Sequence, residues 1–365
     1  MAATTGSSTH RQSATAASLP SISLIAPCYN EARNVGALVD AIVATFCPER
    51  IPCEIVLVND GSSDDTAQAL ASLAARDERE LNLPAGHARL DIVTISFSRN
   101  FGKESALFAG MEAATGETLC FIDADLQQDP RVALDMYRYL VTHDECDIVA
   151  AYQAERKEGK VTAWLKKHFY SFFNRTSDEI ELPADMSDFR VFTRQVANAL
   201  LSLPERQRFT KGLFAWVGFN THAVPYTVNE RHEGESTWST RSLFRYAYSG
   251  ITSFSTWPLK VLKVIGSVVA LLALLYLLYV IIFDFFIFGI GVPGYPTLVC
   301  LILLFGGLQL LAIGVVGDYL ARSYVEAKQR PIYITREERR RTYTGAGREE
   351  LRQARNQTGR DNDKQ

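Results

Sequence analysis

Charge is what one long stretch of this sequence lacks. The chain of 365 residues carries 38 basic and 41 acidic side chains, yet between Val264 and Gly317 the only charged residue is Asp284. A block so depleted excludes a purely cytosolic enzyme and predicts a membrane part joined to a globular part. Six cysteines, at 28, 47, 53, 120, 146 and 300, form no CxxC pair and have no histidine partner at zinc spacing. A zinc ribbon is thereby excluded and reduced thiols are expected. There is no Walker A run and no G-x-G-x-x-G, so neither an ATPase nor a dinucleotide enzyme is signalled. An excess of positive charge is missing from the head too: residues 1 to 263 hold 26 basic and 32 acidic side chains. Nucleic acid, which needs a basic field, is not expected as a partner.

What is present is a rhythm. Residues 1–20, rich in Ala, Ser and Thr with no apolar core, read as a disordered leader rather than a signal peptide. From Ile22 onward, short Val- and Ile-rich runs alternate with helix-length segments: Ile22 to Ala26, Glu54 to Val58, Asp91 to Phe97, Thr118 to Ile122 and Asp147 to Ala151. Between them, Asp64 to Ala75 and Arg131 to Val141 repeat apolar residues every three or four positions. That alternation predicts an α/β fold with a mostly parallel sheet, whose ligands bind beyond the carboxyl ends of the strands. The catalytic domain is expected over 21–235. Within it, 160–178 is an amphipathic segment with Trp164, Phe169 and Phe172 among Lys166 and Lys167.

Residues 236–263 form a second amphipathic segment, expected to lie in the membrane interface. Val264 to Phe283 and Thr297 to Gly317 are each long enough to span a bilayer, and the Gly- and Pro-containing stretch between them predicts a helical hairpin. Lys260 and Lys263 precede the first span, and Arg322, Lys328 and Arg330 follow the second, while the connecting loop has no basic residue. The positive-inside rule then puts the head and both termini on the cytoplasmic side of an inner membrane. The basic tail, 318–365, is expected to be disordered or a frayed helix from Thr335 onward. Gly306, Gly307, Gly314 and Gly317 allow close helix approach, which leaves a homo-oligomer open.

The polar motifs fall at strand ends. Phe121-Ile122-Asp123-Ala124-Asp125-Leu126-Gln127 runs a strand into two carboxylates that point to the same side, a donor set suited to Mg²⁺ or Mn²⁺. The plainer alternative is a polar loop before a helix, with Asp129 as N-cap and Pro130 behind it. Ala26 to Glu31 ends the first strand and Val58 to Thr66 ends the second; Asp60 there suits a base N–H, with Tyr29 against its ring, or simple turn chemistry. After the third strand, Arg99 and Lys103 sit near a helix N-terminus, where anions are favoured.

APCYNE, VNDGSSDDT, RNFGKE, DADLQQDP, MSDFRVF and RxxGxS, followed by SFSTWPLK and two apolar runs, together resemble the membrane-anchored polyprenyl-phosphate glycosyltransferases of family 2. The resemblance extends from Ile22 to Ile334. It implies a GT-A head with a mostly parallel sheet, interfacial amphipathic helices and a C-terminal hairpin of two transmembrane helices. Position by position, it implies that Pro27, Tyr29, Glu31, Val58 and Asp60 hold the nucleoside and that Asp123 and Ala124 contact the nucleotide sugar, with Lys103 in the same site. Asp125 and Gln127, with Asp123 beside them, are implied as ligands of Mg²⁺ or Mn²⁺. Asp188, Arg190 and Arg231 are implied to face the sugar and the phosphates as the catalytic group. The chain departs from the pattern at Gln153 and Thr237, where many relatives are basic; Arg156 or Lys157, and Arg241, stand near enough to substitute.

The implied reaction is inverting transfer of a hexose, with UDP-glucose as the expected donor, to undecaprenyl or dolichyl phosphate. GDP-mannose, UDP-GlcNAc and UDP-aminoarabinose are alternative donors. A processive polysaccharide synthase shares the DxD head but needs several spans and a QxxRW motif, which this sequence lacks. A membrane scaffold with a degenerate head is disfavoured by the intact Asp60, Asp123 and Asp125.

Overall fold

The computed structural model describes residues 19–153, 171, 174, 175, 180, 186–203, 205, 206, 208–227, 257–280 and 294–344. Most of both amphipathic segments, and Arg156, Lys157, Arg231, Thr237 and Arg241, lie outside the described residues, as do 1–18 of the leader.

The alternating half folds as its rhythm predicts. Strands β1 (Ile22–Cys28), β2 (Cys53–Asn59), β3 (Leu90–Phe97), β4 (Thr118–Phe121) and β5 (Ile148–Gln153) alternate with helices α1 (Val35–Phe46), α2 (Thr66–Ala75), α3 (Lys103–Ala113) and α4 (Pro130–Thr142). β1, β2, β3 and β4 pair in parallel, and every residue of β2 is buried. Burial on both faces explains why these strands read as continuous apolar runs. Successive side chains point to opposite faces. Leu24 and Ile55 therefore pack with Phe46 and Tyr137 against α1, α2 and α4, while Ile25 and Val56 pack with Leu107, Phe121 and Phe192 on the α3 side. The fit is tight: a Cβ on Gly110 of α3 would lie 2.2 Å from Cγ2 of Ile25.

Three strands were not anticipated from the sequence. β6 (Met186–Thr193) inserts between β4 and β5 and runs antiparallel to both, giving the order β7-β5-β6-β4-β1-β2-β3-β8. It leads into α5 (Arg194–Leu201), α6 (Thr210–Trp216) and β7 (Thr221–Tyr226), which pairs in parallel with β5. The expectation of a mostly parallel α/β sheet of GT-A-like arrangement holds, with antiparallel insertions at β6 and β8. The six thiols expected to be reduced include five that are described, and all five are free and buried.

The last unanticipated strand corrects the reading of the tail. Residues from Thr335 were expected to be disordered or a frayed helix; instead Thr335–Tyr343 forms β8, antiparallel to β3 at the sheet edge. Its charged sequence hides a strand because alternate side chains find polar partners. Arg340 pairs with buried Glu54 at 2.7 Å and donates to the Ala113 carbonyl at the end of α3. Arg341 donates to the carbonyls of Ala74 and Ala75 at the end of α2, and the Tyr343 hydroxyl donates to the Arg76 carbonyl. Adjacent arginines thus meet the carbonyl ends of two helices on opposite faces of the sheet, where cations are favoured. The charged outer rim also protects an edge strand from pairing with another chain.

Helices α7 (Trp257–Val280) and α8 (Tyr295–Ala327) cover most of the two apolar runs. Among the described residues one segment, Leu304–Ala327, is long and apolar enough to cross a membrane. The expected hairpin of two spans is therefore matched by one such segment, and its connecting residues, 281–293, lie outside the description. Along α8, Leu310 is 72 % and Ile313 68 % exposed, an apolar surface that water does not favour.

The Glu54 carboxylate accepts from Ser23 Oγ (2.5 Å), Thr115 N (2.7 Å), Thr115 Oγ1 (3.0 Å) and Arg340 Nη1 (2.7 Å). Removing one partner of a buried charge leaves that charge undercompensated, so Arg340→Ala is expected to cost about 1–3 kcal/mol. Chemical denaturation of the full chain in detergent measures this; an unchanged midpoint would mean that β8 contributes nothing to the head.

Candidate active site

Four strand ends meet at the carboxyl edge of the sheet, and the antiparallel β6 begins there. β6 pairs with β4 so that Arg190 lies opposite Phe121. Continuing that register by two residues brings Asp188 opposite Asp123, which is how motifs sixty residues apart in the sequence become neighbours.

The loops after β1 and β2 are tied to each other. Asn30, in the left-handed region at φ 59°, donates from its backbone to Ser62 Oγ (3.0 Å), and its side-chain oxygen accepts from Ser63 N (2.9 Å). The Glu31 backbone N–H donates to Thr66 Oγ1 (2.9 Å), and the Glu31 carboxylate accepts from Asn34 Nδ2 (2.6 Å). Tyr29 is 45 % exposed at this edge, available to a ring. Pro27 and Glu31 are half-buried, whereas the Val58 and Ala124 side chains are packed in the core and support the site from behind.

Asp60 is buried, and its oxygens accept from the backbone N–H groups of Phe101 (2.6 Å) and Gly102 (3.1 and 2.9 Å). The sequence suggested a base N–H as its partner; here it pins the loop after β3. Burial raises its pKa, opposed by those two amides and by Arg99. Gly61 follows in the left-handed region, and a Cβ there would lie 2.2 Å from the Arg99 carbonyl carbon, so only glycine lets the two loops approach this closely. Arg99 lies over the Phe101 ring at 3.9 Å.

Lys103, the first residue of α3, is the hub. Its Nζ donates to Asp123 Oδ1 at 2.6 Å and to Asp188 Oδ2 at 3.5 Å. Burial would lower its pKa, but the two carboxylates override that and raise it, so the ammonium is permanent. Asp188 also faces Lys211 at 3.8 Å. Burial would raise the Asp188 pKa; Lys211 and Lys103 more than offset it and hold the carboxyl at about 2. A carboxylate so held is a poor proton acceptor near neutrality. Arg190, implied as a phosphate contact, is buried with its guanidinium 4.1 Å from the Phe214 ring centre and donating to the Ser187 carbonyl.

Three residues here were missed. Gln128 brackets Asp123, accepting from its backbone N–H (2.9 Å) and donating to Oδ2 (2.9 Å). Two glutamines in DADLQQDP offered the signal, but Leu126 adopts φ 62° and that turn decides which one faces inward. Lys211 lies in an unremarkable RFTKGLF run. Glu104 accepts from Thr210 N (3.0 Å) and from the Thr210 hydroxyl, and so anchors the start of α6 that carries Lys211; burial raises its pKa. Asp129 is the N-cap of α4, accepting from Arg131 N with Pro130 behind it, as one reading of the motif had it.

A divalent cation can be accommodated, with a narrower ligand set than the motif implied. Asp123, expected as a ligand, has one oxygen on Lys103 and the other on Gln128. Asp125 is buried at the loop, with Oδ1 accepting from Gln127 N at 3.2 Å. No cluster of three His, Cys, Asp or Glu side chains occurs among the described residues. One carboxylate and an amide oxygen suit Mg²⁺ or Mn²⁺ when a diphosphate supplies further oxygens.

The sequence pattern of Glycosyl transferase family 2 matches residues 23–201. The bactoprenol glucosyl transferase of Shigella phage SfV is 38% identical over 323 residues, covering 88% of this chain and 99% of that protein. The prophage bactoprenol glucosyl transferase homolog of Escherichia coli (strain K12) is 37% identical over 316 residues, covering 86% of this chain and 97% of that one. Among solved structures, glucosyl-3-phosphoglycerate synthase from Mycobacterium tuberculosis is similar at 17% identity and TM-score 0.44, covering 64% of this chain and 78% of that one.

Because the Asp188 pKa is lowered from 3.8 to about 2, the stability it contributes is complete above pH 4 and is lost as the pH falls towards 2. Asp188→Asn is expected to remove that part of the acid-unfolding slope, followed by tryptophan fluorescence of the full chain. An acid profile identical to that of the wild type would show that the two lysines do not hold this carboxylate.

Proposed function

We propose that this chain, which belongs to glycosyl transferase family 2, transfers one hexose from UDP-glucose to a polyprenyl phosphate at the cytoplasmic face of a membrane, inverting the anomeric centre. That it is a glycosyltransferase follows from the family; the donor, the acceptor and the stereochemistry are the proposal. The observation that carries it is the bridge from Lys103 to Asp123 and Asp188, which gathers the DxD and SDFR motifs at the carboxyl edge of the sheet. The relatives' names supply the acceptor class and the glucose.

A phosphate monoester is ionised near neutral pH, so the nucleophile needs little help from a base. Two anions must instead be neutralised and aligned: the attacking lipid phosphate and the departing nucleoside diphosphate. Asp188, kept ionised by Lys103 and Lys211, suits orientation of the sugar hydroxyls rather than proton removal. Asp125 and Gln127 would hold a divalent cation, which would supply Lewis-acid stabilisation of the leaving diphosphate. Lys103 places a fixed positive charge beside it. Tyr29, on the exposed rim beside Pro27 and Glu31, offers a face for the uracil, and Arg231 is assigned to the phosphates because a guanidinium binds them in a forked geometry.

The apolar helices fit this chemistry. A polyprenyl tail stays in the bilayer and presents its phosphate at the surface, so an anchored head meets it at high effective concentration. In this reading α7 and α8 form the two-span hairpin, with both termini cytoplasmic.

The test uses the full chain in bilayers containing undecaprenyl phosphate, with labelled UDP-glucose and Mg²⁺ or Mn²⁺. The wild type is expected to transfer label to lipid, and Asp125→Ala to lose about a hundredfold or more of that rate, the scale of removing one essential electrostatic group. Undiminished transfer by Asp125→Ala would overturn the metal assignment.

A further inference from the structure

The tail strand reaches the site through one side chain. Tyr333, two residues before β8, stacks on Phe97 at the end of β3 (4.9 Å between ring centres, 22° between planes) and meets Phe108 of α3 edge-on at 6.5 Å. Its hydroxyl donates to Oε2 of Glu112, the penultimate residue of α3, at 2.6 Å. Phe97 in turn meets Phe101 at 5.7 Å and 89°. Phe101 is the residue whose N–H donates to Asp60, and Gly102 and Lys103 follow it. Beside this aromatic chain, Ser98 N donates to the Ile334 carbonyl at 3.0 Å, which fixes the first residue of the same loop.

The far side of Tyr333 leads to the apolar helix. Six residues separate Tyr333 from Ala327, the last residue of α8, and that turn is held by Arg206. Arg206 pairs with Glu326 at 3.3 Å and donates from Nε to the Arg330 carbonyl at 2.5 Å. Contacts and short stretches of chain therefore connect the end of α8, through Tyr333, Phe97 and Phe101, to Asp60 and Lys103.

We propose that Tyr333 is a positioning residue for the donor site. Wedged between β3 and α3, it sets the loop 98–102 that is pinned by Asp60 and aims Lys103, and so makes donor binding depend on the docked C-terminal strand. Aromatic pairs contribute beyond the area they bury, and two of them act here in series. The loop itself has few buried apolar contacts of its own beyond Phe101, so beside the Asp60 hydrogen bonds its order depends on Phe97 and Tyr333.

Hydrogen exchange on the full chain without substrate tests the positioning independently of the donor assignment on which the proposal's kinetic arm rests. In Tyr333→Ala the amides of Phe101 and Gly102 are expected to exchange about tenfold faster, while those of β1 and β2 stay as in the wild type. The KM for UDP-glucose is expected to rise about tenfold with kcat within about twofold, and Tyr333→Phe, which keeps the ring, is expected to restore both. Should the alanine variant not accumulate, Tyr333→Leu keeps the volume without the aromatic face and is read the same way. Wild-type exchange at Phe101 and Gly102, or an equal acceleration throughout β1 and β2, would overturn the positioning role. Faster exchange with an unchanged KM would overturn its connection to the donor. A wild type inactive with UDP-glucose would instead overturn the donor assignment, leaving the exchange result standing.

Discussion

The ammonium of Lys103 holds the candidate site together. Asp123 at the end of β4 and Asp188 at the start of β6 both reach the same ammonium, and without it two like charges would face each other. The cation between them offsets that repulsion, holds the Asp188 carboxyl well below its usual range and ties α3 to two neighbouring strands. The rest of the edge is arranged to put that lysine there. Asp60 holds the loop that precedes it, Gly61 lets that loop approach, and Gln128 turns Asp123 towards it. The result is a negatively charged rim with two fixed positive charges, Lys103 and Lys211, suited to a ligand that brings its own anionic phosphates and a countercharge.

The C-terminal strand gives the head a second constraint. The edge strand comes from beyond the apolar helix α8, so the sheet of the head is completed by chain that follows that helix. The pairs that secure β8 run through both faces of the sheet, to Glu54 and the end of α3 on one side and to the end of α2 on the other. Removing the tail would therefore disturb α3, the helix that carries Lys103.

Much of this was legible in the sequence for identifiable reasons. The parallel strands are buried on both faces, so they declare themselves as apolar runs, and Asp129-Pro130 marks the start of α4 without help from tertiary structure. β8 was illegible because TREERRRTY is a strand made of charges whose partners, Glu54, Asp91 and two helix ends, lie 227 to 286 residues away. β6 was recognised as a motif but not as a strand, since its place between β4 and β5 depends on pairing that no local pattern encodes. The same pairing explains why Asp188 and Lys103 were each named while the bridge between them was not. Lys211 has no motif of its own, and the choice between Gln127 and Gln128 turns on one left-handed residue, Leu126. Arg190 shows the converse: a motif residue whose packing on Phe214 is invisible until β6 and α6 are in place.

The central claim is a single hexosyl transfer onto a lipid phosphate. The mass of the lipid product tests it most directly: the full chain is incubated in bilayers with undecaprenyl phosphate and, in separate reactions, UDP-glucose, GDP-mannose, UDP-GlcNAc and UDP-aminoarabinose, and the extracted lipid is weighed by mass spectrometry. The account predicts one new species, undecaprenyl phosphate plus one hexose, formed with UDP-glucose. A ladder of products carrying two or more sugars, or no sugar on the lipid with any donor, would contradict it.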